Sequence, residues 1–405
     1  FMSATNPSWA FKALLTGKKV PAMNKPTVQD IFRHFYPAYL DQYSPSPVQA
    51  KVAHNIMNCK TGAYGANVCV CEDCGFVQIH YNSFRNRCCP MCQAVPKEMW
   101  MDARREDVLD APYFHLVFTV PDILNPVIYS NQRLLYDALY HAASSTISEL
   151  TADPKHLGAK VGYICILHTW GSEMNFHPHI HTILLGGGLA SNNQWKDNGE
   201  NFFLPIRVIS KVFRGKYLEE LKRLWKEDKL VFHGTAEKFR NHYTFKELLD
   251  SCYGMDWIPH CKKTFNGAQT VIKYLGKYTH RIAVSNHRIV RMDDDIVTFL
   301  VKDYRNEGQW KELTISGVEF VRRFLMHVPP RRFVRIRHYG LLCSRTKSQK
   351  LTLCRNLLGC KKYLSKLRDM EMPEILEHLY GIKVCVCKAC GGHLGKPQMR
   401  MPLRC

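Results

Sequence analysis

Two strand-like apolar runs, VGYICILHTW (161–170) and HIHTILLGGG (179–188), are joined by only eight residues, GSEMNFHP. A link that short makes them an antiparallel pair. Side chains alternate faces along an extended strand, so His179 and His181 share one face and Ile180 takes the other. Pairing Thr169 with Pro178 then sets His168 opposite His179, and three imidazoles project from one face. Core histidines with both ring nitrogens satisfied would also fit the composition, since the chain carries 19 histidines. The spacing favours a ligand set: three neutral imidazoles leave a divalent ion its full charge and open positions.

The flanking segments extend this pair into a sheet. PYFHLVFTVP (112–121) reads as a buried strand bounded by prolines, and a helix is expected over roughly 131–150. The stretch 189–260 is polar and irregular with one clear helix, SKVFRGKYLEELKRLWKED, and reads as an insertion and lid. GAQTVIKYLGKYTHRIA (267–283) predicts another helix, and short strands are expected at 287–292, 296–302 and 310–315. That order suits an α+β fold, an antiparallel sheet covered by helices on one face. The expected division is an N-terminal helical region (1–60), a cysteine-rich segment with a connector helix (61–110), a catalytic domain (111–328) and a basic C-terminal region (329–405).

The cysteine-rich segment carries Cys71-x2-Cys74 and Cys89-x2-Cys92, 14 residues apart. Each CxxC turn can offer two thiolates to one tetrahedral ion, so a structural Zn²⁺ on Cys71, Cys74, Cys89 and Cys92 is expected. Cys59, Cys69 and Cys88 are extra thiols, and Cys387-x2-Cys390 in the tail is a candidate second zinc site. CxxC clustering favours metal ligation in a reducing compartment over disulfides.

The formal net charge of +21 points to a polyanionic partner, with nucleic acid first. Arg85 and Arg87 in the cysteine segment, and Arg331, Arg332, Arg335 and Arg337 in the basic stretch PPRRFVRIRHYG, are the expected phosphate contacts. On the helix VIKYLGKYTHR, Tyr274 and Tyr278 are four apart and share a face. Such pairs are commonly packing residues, but Lys273 and Lys277 flank them and His280 and Arg281 follow. A cationic face can stabilise a phenolate whose reference pKa is about 10. Histidines, metal and tyrosines together suit phosphoryl transfer to a phenol, giving a 5′-phosphotyrosyl enzyme and a free 3′-hydroxyl without ATP.

At NSFRNRCCPMCQ, PYFHLVFTVP, LHTWG…HPHIH, YLGKYTHR and RIRHYGLL the chain resembles the HUH endonucleases, and among them the rolling-circle transposases of the insertion-sequence-ninety-one type. That resemblance implies a ferredoxin-like catalytic sheet, an N-terminal zinc ribbon and cleavage of single strands at transposon ends. It implies Tyr274 and Tyr278 as nucleophiles; from their places on the same cationic face, Lys277 is expected to assist them and Lys273 and Arg281 to contact DNA. It implies His179 and His181 as metal ligands, the three-histidine spacing of the related relaxases adds His168 as the third, and Mg²⁺ or Mn²⁺ is the expected ion. The chain departs from the family in having Phe84 where a cysteine is usual and Cys88 where a histidine is usual. Expected partners are single-stranded and hairpin DNA at transposon ends, with host replication factors, in the cytoplasm and on the nucleoid. No membrane span is expected, because no run of 18 apolar residues occurs. Two other readings remain: a replication initiator or relaxase of the same chemistry, and a non-catalytic zinc-dependent DNA-binding regulator.

Overall fold

A computed structural model describes residues 25–197, 204–257, 260–265, 271, 276, 282–303, 307–396 and 398–400. The chain divides into two compact units. One takes residues up to Met99, Val284–Arg322 and Lys366 onward; the other takes Trp100–Ala283 and Arg323–Ser365. This differs from the four consecutive regions expected from the sequence, because both units are built from segments distant along the chain.

The second unit holds the histidine hairpin. Its elements are β1 (Tyr113–Thr119), α1 (Gln132–Ala152), β2 (Lys160–Trp170), β3 (Phe176–Leu189), α2 (Ile206–Lys226), α3 (His242–Gly254), β4 (His260–Phe265) and β5 (Ile336–Gly340). The strands pair antiparallel in the order β5-β2-β3-β1-β4. Stripped of β5, this is a βαββαβ chain with sheet order 4-1-3-2 when the four strands are counted along the sequence, the ferredoxin-like arrangement. The fold is α+β, as the sequence order suggested.

The sheet is buried on both faces. Val161, Tyr163, Cys165 and Leu167 of β2 and Ile180 and Leu184 of β3 pack under α1 and α2. Ile164 and Ile166, with Ile183 and Leu185, face the other way, into a second cluster with Leu341, Leu351, Cys354 and Val271. This alternation fixes register: a one-residue slip would exchange the two faces.

The segment read as a lid belongs instead to the core. Ile209, Phe213, Tyr217 and Leu221, spaced by four along α2, are all buried in the cluster under the sheet. Phe213 meets Phe118 of β1 at 4.9 Å between ring centroids and Trp257 at 5.5 Å. The polar residues that suggested a lid are the outer faces of an amphipathic layer, and α2 and α3 supply the second crossover of the fold. The basic stretch is likewise not a separate region: Ile336–Gly340 is β5, an edge strand of the central sheet.

In the first unit, helices Val28–Gln42 and Pro47–Asn58 start at capping boxes on Thr27 and Ser46. The Gln29 amide closes the end of the second helix by donating to the carbonyls of Ile56 and Cys59, each at 2.8 Å. Strands Ile289–Met292, Ile296–Asp303 and Gln309–Ser316 form a three-stranded meander close to the segments expected from sequence. It belongs with the N-terminal helices, to which Asn286 is tied by accepting from the Val28 N–H at 3.1 Å, and not with the histidine sheet. A further sheet joins Ala66–Val70 to Val77–Tyr81 on one side and to Gln398–Arg400 on the other. No helix among the described residues is long and apolar enough to cross a membrane.

Candidate functional site

The β2–β3 register pairs His168 with His179 and Ile166 with His181, the alignment the loop length predicted. All three imidazoles lie on the face away from α1 and α2, at the end of the sheet. Each presents a ring nitrogen within 4.8 Å of the other two. The Nε2 atoms of His179 and His181 are 3.0 Å apart. All three residues are buried.

The rings are held from behind. His179 Nδ1 donates to the backbone carbonyl of His177 at 2.7 Å, which leaves Nε2 with its lone pair facing the site. His181 Nδ1 lies 2.8 Å from Nε2 of His115, whose ring stacks parallel to it at 5.1 Å. His168 stacks on Trp170 at 4.5 Å, and Trp170 is backed by the Arg335 guanidinium at 5.6 Å. The β2–β3 turn is fastened by His327, which bridges the Thr169 hydroxyl at 3.1 Å and the Met174 carbonyl at 3.0 Å. Burial pushes the His179 pKa down to about 3 and that of His181 well below the ordinary histidine range, so both rings are neutral donors at physiological pH.

A divalent cation fits this donor set. Among the described residues, three imidazole nitrogens converge with no carboxylate in the group, and at least two of the rings have their second nitrogen oriented by a partner. His177, the first histidine of the triplet, is not part of the cluster; its Nδ1 pairs with Asp122 at 3.2 Å. Sequence reasoning missed His115, Trp170 and His327. His115 carried a signal: it is a lone histidine in the apolar run FHLVF, two residues from Val117, which pairs with His181.

The other expected residues fare differently. Tyr274, Tyr278, Lys273, Lys277 and Arg281 lie outside the described residues; within that segment Val271 is described, buried in the apolar cluster on the histidine-bearing face. Arg85, Arg87, Arg331 and Arg332 are exposed. Arg335 is buried beside Trp170, and Arg337 pairs with Asp137 while lying 4.0 Å over the Tyr140 ring. Arg335 and Arg337 thus make contacts that brace β5, unlike the exposed Arg331 and Arg332.

The cysteine grouping also differs from the expectation. Cys71 and Cys74 do not meet Cys89 and Cys92; they converge with Cys387 and Cys390 of the tail. Cys89 and Cys92 converge instead with Cys59. The fourteen-residue spacer does not return the second pair to the first, because the return strand pairs Val77 with Val70 and Tyr81 with Ala66 and so carries the chain away from Cys71 and Cys74, toward Cys59.

Known proteins share this sequence pattern. A family model described as "Transposase zinc-binding domain" matches residues 31–120, and one described as "Putative transposase" matches 162–350. The chain is 39% identical over 373 residues to the "Putative transposase y4qJ" of Sinorhizobium fredii, covering 91% of this chain and 94% of that one. The chain belongs to the insertion-sequence-ninety-one family of transposases. The transposase for insertion sequence element IS801 of Pseudomonas savastanoi pv. phaseolicola is 29% identical, over 82% of this transposase and 78% of the relative. Among solved structures, a copper-bound conjugative relaxase TrwC in complex with oriT DNA aligns with 63% of the transposase and 95% of its own chain, at 14% identity and a TM-score of 0.24.

Proposed function

We propose that this transposase nicks and rejoins single-stranded DNA at transposon ends through a 5′-phosphotyrosine intermediate. The observation that carries the reading is the convergence of His168, His179 and His181, with two of the three rings oriented from behind. Mg²⁺ or Mn²⁺ bound there supplies Lewis-acid polarisation of a non-bridging phosphate oxygen. The residues of the chain do the rest. Trp170 and His115 hold the imidazoles so that the scissile phosphate meets a fixed site. Tyr274 or Tyr278 attacks in line: the phenolic Oη–P bond forms as the P–O3′ bond breaks, and the departing 3′-oxygen ends as a hydroxyl. Lys277, with Lys273 and Arg281, offsets charge on the phenolate and phosphate. Val271, three residues before Tyr274 in the sequence, is buried in the apolar cluster on the histidine-bearing face.

Two nucleophiles allow a second strand to be cut while the first is still held, and retained phosphodiester energy permits joining without ATP. Hairpin DNA at the ends and host replication factors are the partners this reading requires. The test is an adduct assay with a labelled single-stranded end and Mn²⁺. Tyr274→Phe and Tyr278→Phe are each expected to trap a 5′-linked adduct, and the double variant none. Full nicking in excess chelator, or tight end binding with no nicking by the parent protein, refutes the reading; the second result favours a non-catalytic regulator.

A further inference from the structure

The chain's two most distant CxxC turns are built alike. They read Cys71-Glu72-Asp73-Cys74-Gly75 and Cys387-Lys388-Ala389-Cys390-Gly391. In each, the glycine N–H donates to the carbonyl of the first cysteine, at 3.1 Å for Gly75 and 3.0 Å for Gly391. In each, the N–H of the first cysteine donates to a carbonyl five residues on, Phe76 at 2.9 Å and Gly392 at 2.8 Å. Both glycines adopt a left-handed backbone, φ 70° and 80°, which a side chain would strain. In the tail turn the N–H groups of Ala389 and Gly392 point at the sulfurs of Cys387 and Cys390, each at 3.4 Å, an arrangement that favours thiolates.

The sulfurs interlock. Cys71 Sγ is 3.5 Å from Cys390 Sγ, Cys74 Sγ is 3.7 Å from Cys387 Sγ, and all four lie within 4.8 Å of one another. Two sulfurs on a tetrahedral zinc at ~2.3 Å stand about 3.8 Å apart, whereas a disulfide would bring them to ~2.0 Å. The backbones are joined as well. Gly395 donates to the Val70 carbonyl at 2.9 Å, Glu72 donates to that of His393 at 3.1 Å, and Gln398–Arg400 pairs with Ala66–Val68. Among the described residues the apolar cluster here is Cys69, Cys71, Cys387 and Leu394, too little to order the corner without a metal.

We propose that Cys71, Cys74, Cys387 and Cys390 form one closed, four-thiolate structural Zn²⁺ site, so that the C-terminal tail completes the zinc ribbon. Half of the ligands then lie beyond the 31–120 zinc-domain match and beyond the 162–350 match as well. The site ties the two ends of the chain together, and Cys59, Cys89 and Cys92 form a cluster independent of it.

Zinc content per chain, measured on the purified full chain, tests the grouping. The double variants Cys71→Ser/Cys74→Ser and Cys387→Ser/Cys390→Ser are each expected to lose the same single equivalent, and replacing all four is expected to lose no more. Cys89→Ser/Cys92→Ser is expected to keep that equivalent. Unchanged zinc in Cys387→Ser/Cys390→Ser overturns the proposal. Because serine variants can misfold, the parent protein supplies a second readout by iodoacetamide labelling and mass spectrometry. Cys387 and Cys390 are expected to resist alkylation until a chelator withdraws zinc, and then to react in step with Cys71 and Cys74. Reaction of the tail pair in the zinc-loaded protein at the rate of free surface thiols overturns the assignment, whatever the variants do.

Discussion

His115 is the most informative residue to change, because it touches a candidate ligand without being one. For His181 to offer Nε2 to an ion, its proton must sit on Nδ1, and that proton must find an acceptor. Nε2 of His115 stands 2.8 Å from that nitrogen, in a pair of rings inclined by 10° and almost fully buried. In the metal-binding tautomer His181 therefore donates and His115 accepts. Replacing His115 with Phe keeps an aromatic ring in the space but removes the acceptor. A buried donor left unsatisfied costs about 1–3 kcal/mol, roughly fivefold to over a hundredfold in an equilibrium constant. Outer-shell partners of metal-bound histidines fall in that span, at about 10–100-fold in affinity.

The assay is Mn²⁺ binding followed by the paramagnetic resonance of the free ion, with parent, His115→Phe, His115→Gln and His179→Ala compared at neutral pH. His115→Phe is expected to weaken binding about 10–100-fold. His115→Gln retains a side-chain acceptor and is expected to recover part of the loss, and His179→Ala to abolish binding. If His115→Phe binds Mn²⁺ as tightly as the parent while His179→Ala does not bind, the tautomer assignment is wrong and His115 is only packing.

Acid is expected to weaken the metal-free protein. Burial lowers His179 to about 3, His338 to about 4 and His181 further, so below pH ~6.5 the unfolded chain takes up protons the fold excludes, costing at most about 1.4 kcal/mol per pH unit for each group. Urea midpoints in chelator should fall between neutral pH and pH ~5, and a flat profile counts against neutral buried rings. Phe213→Ala is expected to cost about 3–5 kcal/mol in urea unfolding, because its ring is buried between sheet and helices; a loss under about 1 kcal/mol would return α2 to the role of a lid. Replacing Arg331 and Arg332 is expected to weaken DNA binding and to lower the salt slope by about one for each phosphate no longer neutralised. Arg337→Ala is expected instead to reduce stability by removing the Asp137 pair and the packing on Tyr140. Equal loss of affinity at constant stability in both cases would restore Arg337 to the DNA surface.

Local pattern made the histidine-bearing sheet legible and long-range pairing hid the rest. The histidine register followed from a short loop and a period of two, both local in the chain. The helix SKVFRGKYLEELKRLWKED was visible for the same reason, but its destination was not: the stripe Ile209, Phe213, Tyr217 and Leu221 shows that one face is buried without showing against what. The cysteine groups show the same limit. CxxC spacing announces a two-thiolate turn, but the partner turn is chosen by strand pairing. Ala66–Val70 recruits the tail across more than 300 residues, and no sequence interval encodes that. The arginines of RRFVRIR look alike in sequence, yet Arg331 and Arg332 sit in an exposed turn before β5, whereas Arg335, just before the strand, and Arg337, within it, contact Trp170 and Tyr140.

The neutrality of imidazole explains how a candidate metal site can be built on a sheet this apolar. A carboxylate ligand on β2 or β3 would have to be buried as an anion beside Ile164, Ile166 and Ile183, at a cost only a bound cation could offset. A neutral imidazole carries no such penalty before an ion binds. On the proposed reading, a divalent ion held by these imidazoles would keep its full charge, and the site would attract a phosphate where a carboxylate cage would repel it. On that reading neutrality would suit these histidines both to burial and to holding an ion, and His115 and the His177 carbonyl would matter because they settle which nitrogen keeps the proton.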